Sequence, residues 1–242
     1  MTEEFLHAAV KLLNHMTGGQ NLKPCVFMIA NEHIPKEGMT VSTTAHMGTA
    51  DPVHYFTLGP ATTISAETYD RPILYIGAGG SGEFILGEQE KHVTIRKNEI
   101  LYVAPGTLCG SAGGENGFVY TEILLNGEKE ISMNNLLKAA EVFRLKDMIG
   151  YEKDSIANID LVAEKNLKFM ILSFDEGCAL SEHRAPGDAL LFALEGKAVI
   201  GYEGKQYPIQ EGENFRFEKN GLHSVTADGR FKMALLLVKD AE

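Results

Sequence analysis

Residues Ser181 to Gly196 read SEHRAPGDALLFALEG, and this stretch decides how the fold is interpreted. A polar run that contains His183 leads into a Pro-Gly turn, after which six apolar residues from Ala189 to Leu194 precede Glu195 and Gly196. A short apolar run bounded by turn residues is typical of a buried β-strand. The stretch therefore predicts a buried strand that ends at a glycine and has a histidine just ahead of it.

Similar runs rich in β-branched and aromatic residues occur in both halves of the chain. The clearest are residues 53–58, 73–76, 100–103, 169–174, 198–202 and 231–238. Turn residues separate them at short intervals, which favours antiparallel β-structure over alternating strands and helices. The sequence predicts an all-β fold.

A turn-strand-turn unit recurs with the same spacing in the two halves. The positions that share the spacing are Gly212, Asn220 and His223 in the C-terminal half and Asn98, Gly106 and Cys109 in the N-terminal half. Glycine and asparagine replace each other in these units, as expected where a tight turn requires a positive φ angle. The recurrence predicts two copies of one kind of domain.

With these spacings the sequence resembles the cupin superfamily, whose motifs read G-x5-H-x-H-x3-4-E-x6-G and G-x5-P-x-G-x2-H-x3-N. Over residues 168–239, Gly177, His183 and Gly196 match the first motif, and Gly212 and His223 match the second. Residues 52–125 match less closely. The resemblance implies two double-stranded β-helix, or jelly-roll, barrels in one chain, as in the bicupins.

Four segments are expected along the chain. Residues 1–22 carry apolar side chains at helical spacing and predict an amphipathic N-terminal helix, and residues 23–130 form the diverged barrel. Residues 131–160 are expected to be a helical linker, with a short inter-domain helix near Asn134 to Val142. Residues 161–242 form the C-terminal barrel.

The cupin resemblance implies a metal site of three histidines and one glutamate, which suits Zn, Mn, Fe or Ni. Only His183 and His223 match this set, because Ala185 and Ala189 stand where the second histidine and the glutamate are expected. The pair is a candidate for two metal ligands of an incomplete site, or for a general acid and base. It is equally compatible with two pocket histidines that hydrogen-bond an organic ligand.

Three charged residues near His183 are candidate ligand-binding groups. Glu182 and Asp188 each offer a carboxylate as a third metal ligand, although Asp188 needs a bulge to point into the barrel. Arg184, if directed inward, would bind a carboxylate or phosphate, and otherwise it is solvated. In the N-terminal half Glu67 and Cys109 occupy the histidine positions, and this barrel is expected to be structural.

Composition and charge indicate which classes of partner and which cellular compartment to expect. A net charge of −11 with scattered basic residues disfavours nucleic acid, and no apolar run approaches the roughly 20 residues of a membrane span. Three widely spaced cysteines and an acidic N-terminus predict a cytoplasmic protein. The apolar runs Phe118 to Leu125 and Phe231 to Val238 suggest a homodimer.

These observations give two hypotheses of function. In the first, the C-terminal barrel binds a small polar metabolite, such as a sugar or sugar acid, and isomerises or epimerises it with metal or acid-base chemistry at His183 and His223. In the second, the chain binds or senses the metabolite without changing it. The sequence leaves open whether the protein is an enzyme.

Overall fold

The computed structural model describes residues 26–126 and 132–241, and within these the protein is built almost entirely of antiparallel strands. The all-β prediction with two jelly-roll barrels is confirmed. The expected N-terminal helix over residues 1–22 lies outside the described residues. No helix in the described parts of the chain is long and apolar enough to cross a membrane.

The first part of the chain contains one short helix, α1 (Ile29–Glu32), among eight strands. These strands are β1 (Val26–Phe27), β2 (Thr40–Thr44), β3 (Val53–Leu58), β4 (Thr63–Thr68), β5 (Ile73–Leu86), β6 (Lys91–Arg96), β7 (Glu99–Val103) and β8 (Leu108–Leu124). The second part contains a 3-10 turn (Leu145–Asp147). Its strands are β9 (Ser132–Met133), β10 (Val142–Arg144), β11 (Ile156–Ala163), β12 (Leu167–Phe174), β13 (Ala179–Arg184), β14 (Asp188–Tyr202), β15 (Lys205–Gln210), β16 (Asn214–Phe217) and β17 (Leu222–Val238).

Strand pairing defines two barrels. In the N-terminal barrel the order is β10-β7-β5-β8-β3-β2, with β4 on β8 and β6 on β5. In the C-terminal barrel it is β1-β16-β14-β17-β12-β11-β9, with β13 on β17 and β15 on β14. The pairing crosses the order of the chain, because β1 and β9 join the C-terminal barrel whereas β10 joins the N-terminal one.

The long central strand of each barrel bends at a glycine. The register of β14 shifts at Gly196 and that of β5 shifts at Gly80, so that each strand pairs with different partners before and after the bend. Both glycines have positive φ, 78° and 68°. A Cβ atom would lie 2.0 Å from the Arg230 carbonyl oxygen at Gly196, and 2.2 Å from the Gly117 oxygen at Gly80. Only glycine fits these bends without strain.

The barrels contain separate interiors and share a third core. Along β14 the residues at 189, 191 and 193 face the barrel interior, whereas those at 190, 192 and 194 pack against the other barrel. In β8, Phe118 and Tyr120 face inward while Val119 and Ile123 face the shared core. Both faces of these strands are buried, which explains their continuous apolar sequence.

Two details differ from the sequence-based expectations. The inter-domain helix near Asn134 to Val142 is absent: residues 134–141 form turns, in which Asn134 Oδ1 accepts from the Leu136 amide at 3.0 Å and the Ala140 amide bonds to Tyr102. Asparagine bonding to its own turn competes with helix formation. The apolar runs ending at Leu125 and Val238 pack within the chain, so they do not support the homodimer, which stays a prediction.

Candidate functional site

His183 and His223 lie opposite each other at the mouth of the C-terminal barrel. They are paired residues of β13 and β17, and their ring centroids are 4.3 Å apart. A register shift between Leu180 and His183 marks a bulge just before the first histidine. His183 is exposed, whereas His223 is 5% exposed. The structure therefore brings together the two histidines that the sequence singled out.

Backbone carbonyls fix the orientation of both imidazole rings. His183 Nδ1 lies 2.8 Å from the Ser181 oxygen, and His223 Nδ1 lies 2.8 Å from the Gly221 oxygen. A carbonyl oxygen only accepts hydrogen bonds, so Nδ1 of each ring carries the proton. In the neutral rings, both Nε2 atoms are then left as acceptors with a lone pair.

The two imidazoles differ in environment. Burial lowers the pKa of His223 from its usual 6.5, an effect opposed by the Gly221 carbonyl and reinforced by His183. The ring of Phe217 packs on His223 with 4.4 Å between centroids. At neutral pH the buried ring is therefore uncharged and able to accept a hydrogen bond or a proton.

The donor set does not make the four-ligand cupin metal site. Ala185 and Ala189 leave two of its positions without a ligand atom, and the described residues contain no group of three His, Cys, Asp or Glu side chains placed to hold an ion. Neither Glu182 nor Asp188 joins the histidines. Among residues 26–126 and 132–241, the two Nε2 atoms are what the site would offer to a metal ion.

Asp188 lies where the two barrels meet. Its carboxylate accepts hydrogen bonds from the backbone amides of Gly48 and Lys219, each at 3.0 Å, and Arg216 lies 3.9 Å away. Gly48 belongs to the N-terminal half of the chain. Asp188 therefore ties the two halves together rather than facing the histidine pair.

Glu182 and Arg184 lie on the exposed rim beside His183. The Arg184 guanidinium donates to the Asn220 carbonyl and forms an ion pair with Glu203 at 3.6 Å. Glu203 in turn accepts from the Leu222 amide at 2.6 Å. An anionic ligand would have to compete with Glu203 for Arg184, and exposed pairs of this kind are weak.

The equivalent mouth of the N-terminal barrel carries Glu67 and Cys109, which are paired on β4 and β8 as the two histidines are on β13 and β17. Burial raises the pKa of the Cys109 thiol to about 11, so this cysteine is protonated at neutral pH. Tyr69 donates a 3.4 Å hydrogen bond to Glu67.

The sequence reasoning missed Glu122, which lies in β8 opposite Tyr75 and is 7% exposed. Burial raises its pKa from 4.5 to about 7, with Glu67 adding to the shift and a hydrogen bond from Tyr75 opposing it. The available signal was a carboxylate within the mostly apolar run Phe118 to Leu125, which a buried strand does not normally tolerate.

Comparisons with known proteins agree with this geometry. Residues 170–239 match the family model described as a cupin domain. No protein with curated annotation matches the chain significantly. A cupin 2 conserved barrel domain protein from Leptotrichia buccalis is 26% identical, with a TM-score of 0.75 over 93% of this chain and 100% of that one.

More distant structures share the fold alone. A salicylate 1,2-dioxygenase variant from Pseudoaminobacter salicylatoxidans is 12% identical, with a TM-score of 0.60 over 98% of this chain and 95% of that one. An oxalate decarboxylase variant from Bacillus subtilis is 11% identical, with a TM-score of 0.52 over 93% of this chain and 79% of that one. Residues 170–239 therefore match the cupin domain family, and the two jelly-roll barrels give the described chain a fold similar to that of a cupin barrel protein.

Proposed function

We propose that the protein binds a small polar metabolite at the mouth of the C-terminal barrel, through the Nε2 atoms of His183 and His223. The observation that carries this proposal is the hydrogen bond from each Nδ1 to a backbone carbonyl, which leaves two neighbouring acceptors. A ligand with adjacent hydroxyl groups presents donors to both. Sugars and sugar acids belong to this class, and proteins that share the fold are named for reactions of small organic molecules.

The ligand is held without a cupin-type metal quartet in this proposal. Two imidazoles make a weaker site than four ligands, and a bound metal would need the ligand or water to complete its coordination. Zn, Mn, Fe or Ni at these two Nε2 atoms is therefore the competing occupant. The matching family and fold are compatible with either.

Acid-base catalysis is the second candidate function. It is favoured by the contrast between an exposed His183 and a buried His223 whose pKa is lowered by burial, because two neighbouring imidazoles in different environments can divide the roles of acid and base. An isomerase or epimerase would use one ring to remove a proton from the substrate and the other to return one. In the binding hypothesis the same pair only holds the ligand.

A thermal-shift series with glucose, galactose, glucuronate and galacturonate tests the proposal. We expect at least one probe to stabilise the wild-type protein, by about 2.7 kcal/mol at 100 times its Kd. The variants His183→Asn and His223→Asn should lose this stabilisation. His92→Asn is the matched control, because His92 is half exposed and pairs with Glu83 at 3.1 Å in the other barrel.

The recovered probe decides between the two candidates. Mass and NMR spectra that show unchanged sugar support binding, whereas a new isomer supports catalysis. Stabilisation that persists in both histidine variants would contradict the site. A stoichiometric transition metal in wild-type protein purified without a histidine tag, lost in His183→Asn, would replace the proposal with a metal centre.

We also propose that the N-terminal barrel is a diverged cupin, so that the chain is a bicupin, and that the protein is a cytoplasmic homodimer. The paired positions of Glu67 and Cys109 support the first statement. Gel filtration with light scattering tests the dimer, and a monomer at micromolar concentration would exclude it.

A further inference from the structure

The interior of the N-terminal barrel contains a cluster of polar side chains around Glu122. Tyr75 is its cross-strand neighbour on β5, and Tyr120 precedes it by two residues on the same face of β8. Cys109 Sγ lies 3.9 Å from the Tyr75 hydroxyl. Glu122, Tyr75, Tyr120 and Cys109 are all less than 8% exposed, so the cluster is buried and extends inward from the mouth at Cys109.

The fold itself does not require these polar groups. Tyr75 and Glu122 are paired in the N-terminal barrel as Leu191 and Leu235 are paired in the C-terminal barrel. Tyr75 and Leu191 each stand five residues before the bend glycine of their strand, Gly80 or Gly196. Two leucines therefore suffice at this position of the fold. A buried carboxyl at the same position costs folding free energy that a leucine does not.

The groups that face Glu122 come from every strand around it. They are Tyr75 on β5, Tyr120 and Cys109 on β8, Glu67 on β4, Tyr69 after β4, and His54, which is its cross-strand partner on β3. His54 Nδ1 lies 3.4 Å from the Thr44 hydroxyl. Of these groups, only His54 can carry a positive charge, and Glu67 adds negative charge.

These surroundings favour the uncharged carboxyl. Burial removes the water that stabilises a carboxylate, and Glu67 repels a second negative charge. In agreement, the pKa of Glu122 is raised to about 7. The phenols of Tyr75 and Tyr120, whose pKa values are raised well above the usual 10, remain neutral and cannot supply a countercharge.

We propose that the N-terminal barrel is a pH-responsive element whose tight packing requires the proton on Glu122, and that loss of this proton loosens the barrel. The C-terminal barrel has leucine, Leu235, at the equivalent position. Strand β8 links the cluster to the rest of the molecule, because Val119 and Ile123 alternate with Tyr120 and Glu122 and pack in the core between the barrels. Loosening of the N-terminal barrel would therefore extend along β8 to the core between the two barrels.

The direction of the pH effect follows from proton linkage. Between pH 4.5 and about 7 the folded chain holds one proton at Glu122 that the unfolded chain has released. The contribution of Glu122 to the free energy of unfolding is therefore largest below pH 4.5. It falls as the pH rises toward 7 and is constant above pH 7.

The test combines carboxyl NMR with hydrogen exchange on the full chain. We expect the 13C signal of the Glu122 carboxyl to titrate near neutral pH. After correction for intrinsic exchange, the opening equilibrium constant of amides in β5 and β8 should rise on the order of 100-fold between pH 5 and pH 8. Glu122→Gln, which keeps the shape and cannot ionise, should remove this rise.

Glu115→Gln is the control, because Glu115 lies on the same strand and is exposed. It should keep the wild-type pH profile. The proposal is overturned if the Glu122 signal titrates near pH 4.5, or if Glu122→Gln shows the wild-type rise. If that variant does not fold, the carboxyl titration of the wild-type chain decides alone.

Discussion

At the mouth of the C-terminal barrel two imidazoles face each other across β13 and β17, whereas the same place in the N-terminal barrel holds a carboxyl and a thiol. His183 and His223 are paired as Glu67 and Cys109 are. The backbone arrangement is shared, including a register shift just before His183 and before Glu67. One architecture therefore presents two hydrogen-bond acceptors in one barrel and protonatable groups in the other.

Further inside the barrels, the N-terminal one is the more polar of the two. Leu191 and Leu235 make the C-terminal interior apolar, whereas Tyr75 and Glu122 make the N-terminal interior polar. The C-terminal barrel thus carries its two imidazoles at the mouth, where a ligand can reach them. The N-terminal barrel buries its acid, where a proton is the species most easily exchanged.

The largest effect is expected from a substitution in the core that the barrels share. Phe169 is fully buried there and makes an edge-on contact with Phe192, with ring centroids 6.4 Å apart. Phe169→Ala should lower the free energy of unfolding by about 3–5 kcal/mol. Hydrogen exchange should show faster opening in both barrels, whereas Phe84→Ala, inside the N-terminal barrel, should act first on its own barrel. An effect of Phe169→Ala limited to the C-terminal barrel would contradict a shared core.

An exchange of the deep residues should transfer the pH response from one barrel to the other. Glu122→Leu removes an ionised carboxyl from the interior, and at pH 8 we expect it to stabilise the protein by up to roughly 3 kcal/mol, from 1.36 kcal/mol per pKa unit. Leu235→Glu should destabilise the C-terminal barrel, more at pH 8 than at pH 5. Urea unfolding at both pH values measures this, and equal effects at the two pH values would refute the interpretation.

The bend glycines should respond alike, because the barrels share this feature. Gly80→Ala and Gly196→Ala each place a side chain at positive φ against a backbone oxygen, at a cost of roughly 1–3 kcal/mol. Gly204→Ala is a control with positive φ and no atom within 4 Å. Thermal unfolding should give both bend variants a lower melting temperature than this control. If either variant melts with the control, the two bends are not equivalent.

The smallest effect concerns acid pH and has the opposite sign to that of Glu122. Because the pKa of His223 is lowered in the folded protein, the unfolded chain binds this proton more tightly, and stability falls as the pH drops below 6.5. His223→Asn should lose this acid decline, which melting temperatures between pH 7 and pH 5 measure. His92→Asn should retain it. An unchanged decline in His223→Asn would mean that other groups cause it.

Local spacing predicted antiparallel strands and a repeated unit, and the resemblance to the cupin motifs implied the two barrels and singled out the histidine pair. Turn residues and the intervals between Gly212, Asn220 and His223 are set by the length of a strand and its turns. The strand pairing that places His183 opposite His223 joins distant parts of the chain and is visible only in the structure.

Other features depend on contacts between distant segments. Glu122 was missed because both faces of β8 are buried, so the alternation of side chains does not reveal which face lines the barrel. The pairing of β1 and β9 with strands of the C-terminal barrel cannot be predicted from a local sequence pattern. The prediction of a helix near Asn134 was wrong, because the turn closed by the Asn134 side chain outweighed the helical spacing of the apolar residues there.

The most direct test is the tautomer of the two histidines, read from long-range 1H-15N correlation spectra of 15N-labelled protein at neutral pH. If the mouth of the C-terminal barrel offers two acceptors, both His183 and His223 will be protonated at Nδ1 and unprotonated at Nε2, and an effective sugar probe will shift both Nε2 signals. A proton on Nε2 of either neutral ring, or probe binding that leaves both signals unmoved, would contradict it.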